Sequence, residues 1–526
     1  MSGFAGQAVS PGVLRDRRKE RHVACSVRRR VAETEMTKFP RISFALVLFA
    51  ASALAVWGCA GKNQLRHGGH SGGASGGEGS GDDGGFGSFG SSGGNGGGGC
   101  TNLQCQVHSC SGGGTTTISG RVLDPAGRNP LYNVVVYVPN SPGGKLDAIP
   151  SGVDSSSCSC GALYSGQPMA ATLTDANGAF TLPNAPDGGD IPLVVQIGKW
   201  RKEVVIKNVA ACQDNPQGSI TLPKSSAEGN LPNIAVSTGL ADTLECLLRR
   251  VGVDPGEYTG DPGGAGHVHV FQGSGGNAAA NPASAASPTA LWDSSADLDR
   301  YDVVLLSCEG DVTTGANSQS IADYVNAGGR VFAEHYHYAF FANQPQFANT
   351  ANWNNVGSAA SDMYSGDVGG VVETSLLSNG NPFPEGQALQ TWLGNVGALT
   401  NGELVIPGGN GRYNAVVGPS NLATAWVVTD QNAQPASTQY FSWDMPFDAP
   451  LDDAGTPGYC GRVVFSDLHV TGSVTDYANS TTVPDGCVDQ ALTPDEDALE
   501  FILFDLSSCV TPVGQTPMPP PTQGPL

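Results

Sequence analysis

Between Ala60 and Gly99 the chain is mostly Gly and Ser, as in GGEGSGDDGGFGSFGSSGGNGGGG. Such a tract cannot bury enough apolar surface to offset the entropy of ordering it. The sequence therefore places its folded mass after residue 99. As a random coil, the 40 residues of the tract would reach about 35 Å root-mean-square. That reach holds a folded body clear of whatever surface its start is fixed to.

What precedes the tract suggests such a surface. Met36 opens MTKFPRISFALVLFAASALAVWGCAGK, in which Lys38 and Arg41 are followed by an uncharged run from Ile42 to Trp57. The run is shorter than the roughly 18 residues of a membrane span and has the layout of a signal peptide. Gly58 followed by Cys59 resembles the bacterial lipobox, with Trp57 where a small residue is usual. The resemblance implies a diacylglycerol anchor on Cys59, cleavage before it, and export to the outer membrane or cell surface. Residues 1–35 then read as an upstream extension and 36–58 as the signal. Residues 59–115 read as a tether ending in a cysteine cluster.

Charge narrows the partners. A formal net charge of −22 provides no basic stripe for phosphates, so nucleic acid is excluded as a partner. In an exported chain the cysteines read first as disulfides. Cys100, Cys105, Cys110, Cys158, Cys160 and Cys212 form an even set, whereas Cys246, Cys308, Cys460, Cys487 and Cys509 leave one thiol over. The spacing in CTNLQCQVHSC matches no standard zinc ligand pair.

From Thr116 short alternating runs are broken by Gly, Asn, Asp and Pro, which predicts an antiparallel β-sandwich. SGRVLDPAGRNPLYNVVVYV and TDANGAFTL resemble the carboxypeptidase regulatory-like domain over 116–228. That likeness implies a transthyretin-like accessory module without catalytic residues.

After residue 228 the pattern changes to strands alternating with helices. NIAVSTG, HVHVFQG, YDVVLLS, RVFAE and GRVVFSDLHV read as strands, apolar on both faces. Leu240, Leu244, Leu248 and Val251 mark a helix face, with Asp242 and Glu245 as capping groups. Ile321, Tyr324 and Val325 mark a second helix, stopped at Gly328 and Gly329. TPDEDALEFILFDL is a third, with Thr493 as cap, Pro494 at its first position and Glu496 completing a capping box. Its apolar face is Leu499, Ile502, Leu503 and Leu506. The expected fold class is mixed, the sandwich being followed by a flavodoxin-like α/β domain with a mostly parallel sheet. Residues 342–440 read as long loops with few helices, and 511–526 as a Pro-rich disordered tail.

In open parallel sheets, ligands gather outside the carboxyl ends of the strands. The candidate pocket residues there are Cys308, Glu309, Glu334, His335, His337, Asp467 and His469. YDVVLLSCEG, YVNAGGRVFAEHYH and GRVVFSDLHV resemble the class I glutamine-amidotransferase-like fold, in its trehalose-utilisation-type branch, over 229–510. That family's nucleophile position holds His335 rather than cysteine. Its late histidine matches His469, which is followed by Val470 and Thr471 without the expected glutamate. Amidotransfer chemistry is thus not expected, and Cys308 reads as a buried or disulfide cysteine.

His267, His269, His335 and His469 are the candidate ligands of a divalent, zinc-like metal, since imidazoles with a carboxylate suit such ions. VIPGGNGRY at 405–413 has the glycines of a phosphate loop but no Lys-Ser/Thr partner. Tyr440 and Trp443 in QYFSWD read as core, with stacking on a sugar as the alternative. The expectation is a lipid-anchored envelope protein with non-catalytic binding modules and a small-molecule or envelope ligand. The alternative is a metal-dependent hydrolase or lyase acting on a small carbohydrate-like ligand. A tryptophan synthase alpha chain assignment is not supported, because the sandwich and too few strand–helix units are incompatible with its eightfold barrel.

Overall fold

The computed structural model describes residues 100–141, 145–153, 163–260, 262–273, 285–354, 356–357, 362–453, 455–470, 483–484 and 486–523. Cys59 and the expected signal peptide lie outside these residues, as do Cys158, Cys160 and the stretch 471–482.

Among the described residues the first module has seven strands: β1 (Thr117–Leu123), β2 (Val135–Pro139), β3 (Pro168–Leu173), β4 (Ala179–Leu182), β5 (Gly188–Ile197), β6 (Trp200–Val209) and β7 (Asp214–Thr221). They form a three-stranded sheet, β4-β1-β7, and a four-stranded sheet, β3-β2-β5-β6. One pairing departs from the antiparallel expectation: β1 runs parallel to β7. Alternate residues of both sheets, among them Ile118, Val122, Val136, Val138, Leu193 and Val195, are buried in one apolar cluster.

Among the described residues the second module contains one eleven-stranded sheet and a separate two-stranded one. Its parallel part comprises β8 (Ile234–Ser237), β9 (Tyr258–Thr259), β10 (Val268–Phe271), β11 (Val303–Leu306), β12 (Arg330–Glu334) and one late strand. Residues 342–440 are the main departure from expectation. They contain β13 (Asn352–Trp353), β14 (Val368–Val372), β15 (Leu399–Thr400), β16 (Glu403–Ile406), β17 (Ala415–Val416), β18 (Thr424–Thr429) and the start of β19 (Thr438–Met445). The late parallel strand is β20 (Gly461–Ser466). The order is β15-β16-β14-β18-β19-β20-β12-β11-β8-β10-β9, so an antiparallel half extends the parallel one from β20. Helices cover the faces: α1 (Leu244–Val251), α2 (Thr289–Trp292), α3 (Ser295–Leu298), α4 (Ser318–Asn326), α5 (Pro384–Val396) and α6 (Pro494–Ser507). Among the described residues no helix is long and apolar enough to cross a membrane.

α6 joins the modules. Its capping box forms as expected, with Thr493 N–H donating to Glu496 at 2.8 Å and Glu496 N–H donating back to Thr493 at 3.4 Å. Burial exceeds the expected stripe, because Phe501 stacks on Tyr132 and Phe504 meets Trp200 edge-on, both residues belonging to the first module. α1 departs from its expected cap. Leu240 is exposed and outside the helix, and the Asp242 carboxylate accepts from Thr243 N–H and from Val470 N–H.

Disulfides join Cys100 to Cys105, Cys110 to Cys212, and Cys246 to Cys487, and Cys460 and Cys509 are also disulfide-bonded. Cys308 is the free cysteine of the described residues, and it is buried. The expected disordered tail is packed as far as Gln523, whose N–H donates to Pro168 O at 2.9 Å and whose side chain meets Asn140.

Candidate functional site

β20, β12 and β11 are consecutive parallel neighbours, so their carboxyl ends lie side by side. β11 delivers Cys308, β12 delivers His335 and β20 delivers Asp467 and His469. The expected convergence occurs for three of these side chains. Ligand atoms of Cys308, His335 and His469 all lie within 4.8 Å of one another, and all three residues are buried.

His335 is the hub. It follows β12 at a φ of +29°, a backbone region L side chains rarely adopt and one that tends to persist at functional sites. Its Nε2 faces Asn414 Oδ1 at 3.0 Å and Asp362 Oδ2 at 3.3 Å. Two acceptors on Nε2 place the proton there and leave the Nδ1 lone pair toward Cys308 Sγ, 3.6 Å away. Burial holds the imidazole below its usual range, against the pull of Asp362. His335 is therefore neutral near pH 7, and Asp362 accepts an N–H rather than facing a cation.

His469 has a different partner. Arg412 Nη2 donates to its Nδ1 at 3.0 Å, which puts the proton on Nε2, and that atom is buried without an acceptor among the described residues. Burial first, then His335 and Arg412, keep this imidazole neutral, well below its usual pKa. Burial also pushes the Cys308 thiol up, so the resting group is a neutral thiol between two neutral imidazoles.

Carboxyl groups brace the turns around these ligands. Glu334 accepts from Cys308 N–H at 2.9 Å, and burial together with Asp242 holds its carboxyl well above the usual range. Asp467 accepts from Asn414 N–H at 2.7 Å and Ala415 N–H at 3.1 Å, and burial raises it to about 7. Its Oδ1 has no partner among the described residues. Glu309 is buried but outside the three-residue group.

Three expected site residues belong elsewhere. His267 O accepts from Ile234 N–H, which sets His267 and His269 at the amino end of β10, away from the rim. His267 pairs with Glu257 at 2.6 Å, and His269 has Tyr301 on Nδ1 and Gly266 O on Nε2, both at 3.0 Å. Side-chain alternation had suggested ligands, but the position along the strand decides the outcome. His337 turns into the core, stacked on Phe340 and edge-on to Trp292, and burial drops it to about 3. Asp362, Arg412 and Asn414 were missed because they come from the segment read as loops. The only signal was the glycine-rich VIPGGNGRY stretch, which reaches the rim without a phosphate loop's chemistry.

The donor set suits a zinc-type ion at two of its three members. With Zn–S of about 2.3 Å and Zn–N of about 2.0–2.1 Å, a tetrahedral S···N edge is about 3.6 Å. Cys308 Sγ and His335 Nδ1 match that separation. The carboxylate and amide on His335 Nε2 are the usual support for a metal-bound imidazole. His469 fits only if Nε2 gives up its proton.

No family model and no curated protein matches the chain. Among solved structures, a ThuA-like protein from Parabacteroides merdae is 12% identical, covering 50% of this chain and 97% of that one at a TM-score of 0.25. The major pilin subunit of Bacillus cereus is 17% identical over 21% of this chain and 31% of that one, at 0.14. A 9R-lipoxygenase from Cyanothece is 16% identical over 23% and 19%, at 0.13, so this chain spans less than a third of the pilin or the lipoxygenase. Scores this low carry no fold or activity from those proteins to this chain.

Proposed function

We propose that the protein is a lipid-anchored cell-envelope protein built from two non-catalytic modules. In this reading the first is a carboxypeptidase-regulatory-type β-sandwich at 116–228. The second is a flavodoxin-like α/β domain at 229–510 that closes around a zinc-type divalent ion on Cys308, His335 and His469. The observation that supports the metal centre is the 3.6 Å separation of Cys308 Sγ and His335 Nδ1, with the second ring nitrogen already held. An ion there would take the thiol as thiolate and tie three strand ends together, with a fourth coordination position left for another group.

Burial favours a closed centre over a reactive one. A Cys308–His335–Asp362 line has the order of a thiol nucleophile, a base and its orienting carboxylate. A nucleophile must reach its substrate, yet Cys308 is 0% exposed and its thiol is raised. None of the four cavities described is lined by Cys308, His335 or His469. The hydrolase or lyase alternative draws on Asp467, whose raised carboxyl and unpartnered Oδ1 are the setting of a general base. Metal analysis of the purified protein decides first: about one zinc-type ion per chain, lost on Cys308→Ala, supports the centre, and no bound ion removes both metal readings.

A further inference from the structure

The largest of the cavities described lies at the opposite end of β20 from the rim. It is bounded by the loop before β18, by Trp443 to Phe447, by Pro457 to Tyr459 and by the chain after α6. Its volume is about 400 Å³, within the range of small-ligand sites.

The wall has two kinds of surface. Phe447 and Tyr459 are the aromatic residues of the wall outside the buried core, whereas Trp443 belongs to it. Asn379, Asn421 and Gln515 line it with amides, of which the Asn379 and Asn421 oxygens also accept from Asn381 N–H and Gly418 N–H. Asp444 is the ionisable carboxylate of the lining, and both its oxygens are taken by Arg462, at 2.7 and 3.3 Å. That pairing leaves no uncompensated charge for an ionic ligand. Phe447 and Leu422 remain 37% and 52% exposed at this site, so water meets apolar side chains there. A ligand matching such a wall is uncharged, with one apolar face to lie on a ring and polar groups around its edge for the amides.

We infer that this cavity binds a neutral saccharide of one or two rings. A pyranose has that division of surface, with axial C–H groups on its faces and hydroxyls at its rim. The site is independent of the proposed metal centre, because it shares no residue with it.

The test is calorimetric titration of the full chain with glucose, N-acetylglucosamine, maltose and cellobiose, with choline and inorganic phosphate as charged probes. The inference expects at least one sugar to bind with a Kd of about 1 mM or tighter. The charged probes should not bind, and Phe447→Ala and Tyr459→Ala should each weaken the sugar at least tenfold. Phe447 is partly exposed, so its variant keeps the fold, which near-ultraviolet dichroism verifies. Absence of binding by every sugar, comparable binding of choline or phosphate, or wild-type affinity in both variants would overturn the inference.

Discussion

Cys308 Sγ lies 3.6 Å from His335 Nδ1, although 27 residues separate them in the chain. The contact exists because β11 and β12 are parallel neighbours, so their carboxyl ends stop at the same level. A buried neutral thiol facing a buried neutral imidazole is tolerated at rest. It becomes a strongly held pair once a cation replaces the thiol proton.

The first prediction concerns the support of His335. Asn414 Oδ1 and Asp362 Oδ2 fix the proton on Nε2 and so present Nδ1 as a ligand. Asn414→Ala should weaken zinc binding about 10- to 100-fold, as loss of such supporting groups usually does. Competition against a chromophoric chelator measures it. Unchanged affinity would remove His335 from the ligand set.

Arg462 provides a stability prediction away from the rim. It is buried between Asp444 at 2.7 Å and Asp505 at 2.9 Å, and these carboxylates raise its already high pKa against the effect of burial. Arg462→Ala would strand two buried carboxylates and should cost about 3–5 kcal/mol in urea unfolding. A loss below about 1 kcal/mol would mean that water reaches the network.

Acidity should stabilise the fold. Burial, then Asp505, raises Glu385 to about 8 from its usual 4.5. A raised folded-state pKa contributes stability that is complete below the unfolded value and is lost as pH climbs through the folded one. The urea midpoint should therefore fall between pH 5 and pH 8. Glu385→Gln should flatten that fall by on the order of 2 kcal/mol, allowing for relaxation around the carboxyl. A wild-type midpoint that rises over this range would contradict the burial argument.

The proposed anchor has its own test. Cys59→Ser should move the protein from the membrane fraction to the soluble one, because thioether attachment of diacylglycerol needs that sulfur. Wild-type fractionation of the variant would dispose of the anchor.

Periodicity made the parallel strands legible, and residue chemistry made the α6 cap legible. Ile234–Ser237 and Val303–Leu306 are buried runs whose neighbours are helices, and Thr493 with Glu496 forms its box as spelled. The antiparallel half was hidden. β14 is VGGVV and β16 only four residues long, too short and too rich in glycine for alternation to stand out. That gap concealed Asp362, Arg412 and Asn414, and with them the partners of His335 Nε2 and His469 Nδ1. His267 and His269 illustrate a different limit. Alternation tells which face a side chain takes, but only pairing register tells which end of the sheet it reaches.

An ion held by residues from three strand ends is tested most directly by zinc titration of the purified protein and of its Cys308→Ala and His335→Ala variants. The wild type should bind one equivalent, with release of protons from Cys308 and His469, and each variant should bind at least about 100-fold more weakly. Wild-type protein that binds no ion, or variants that bind it as tightly, would rule out a metal centre on Cys308 and His335.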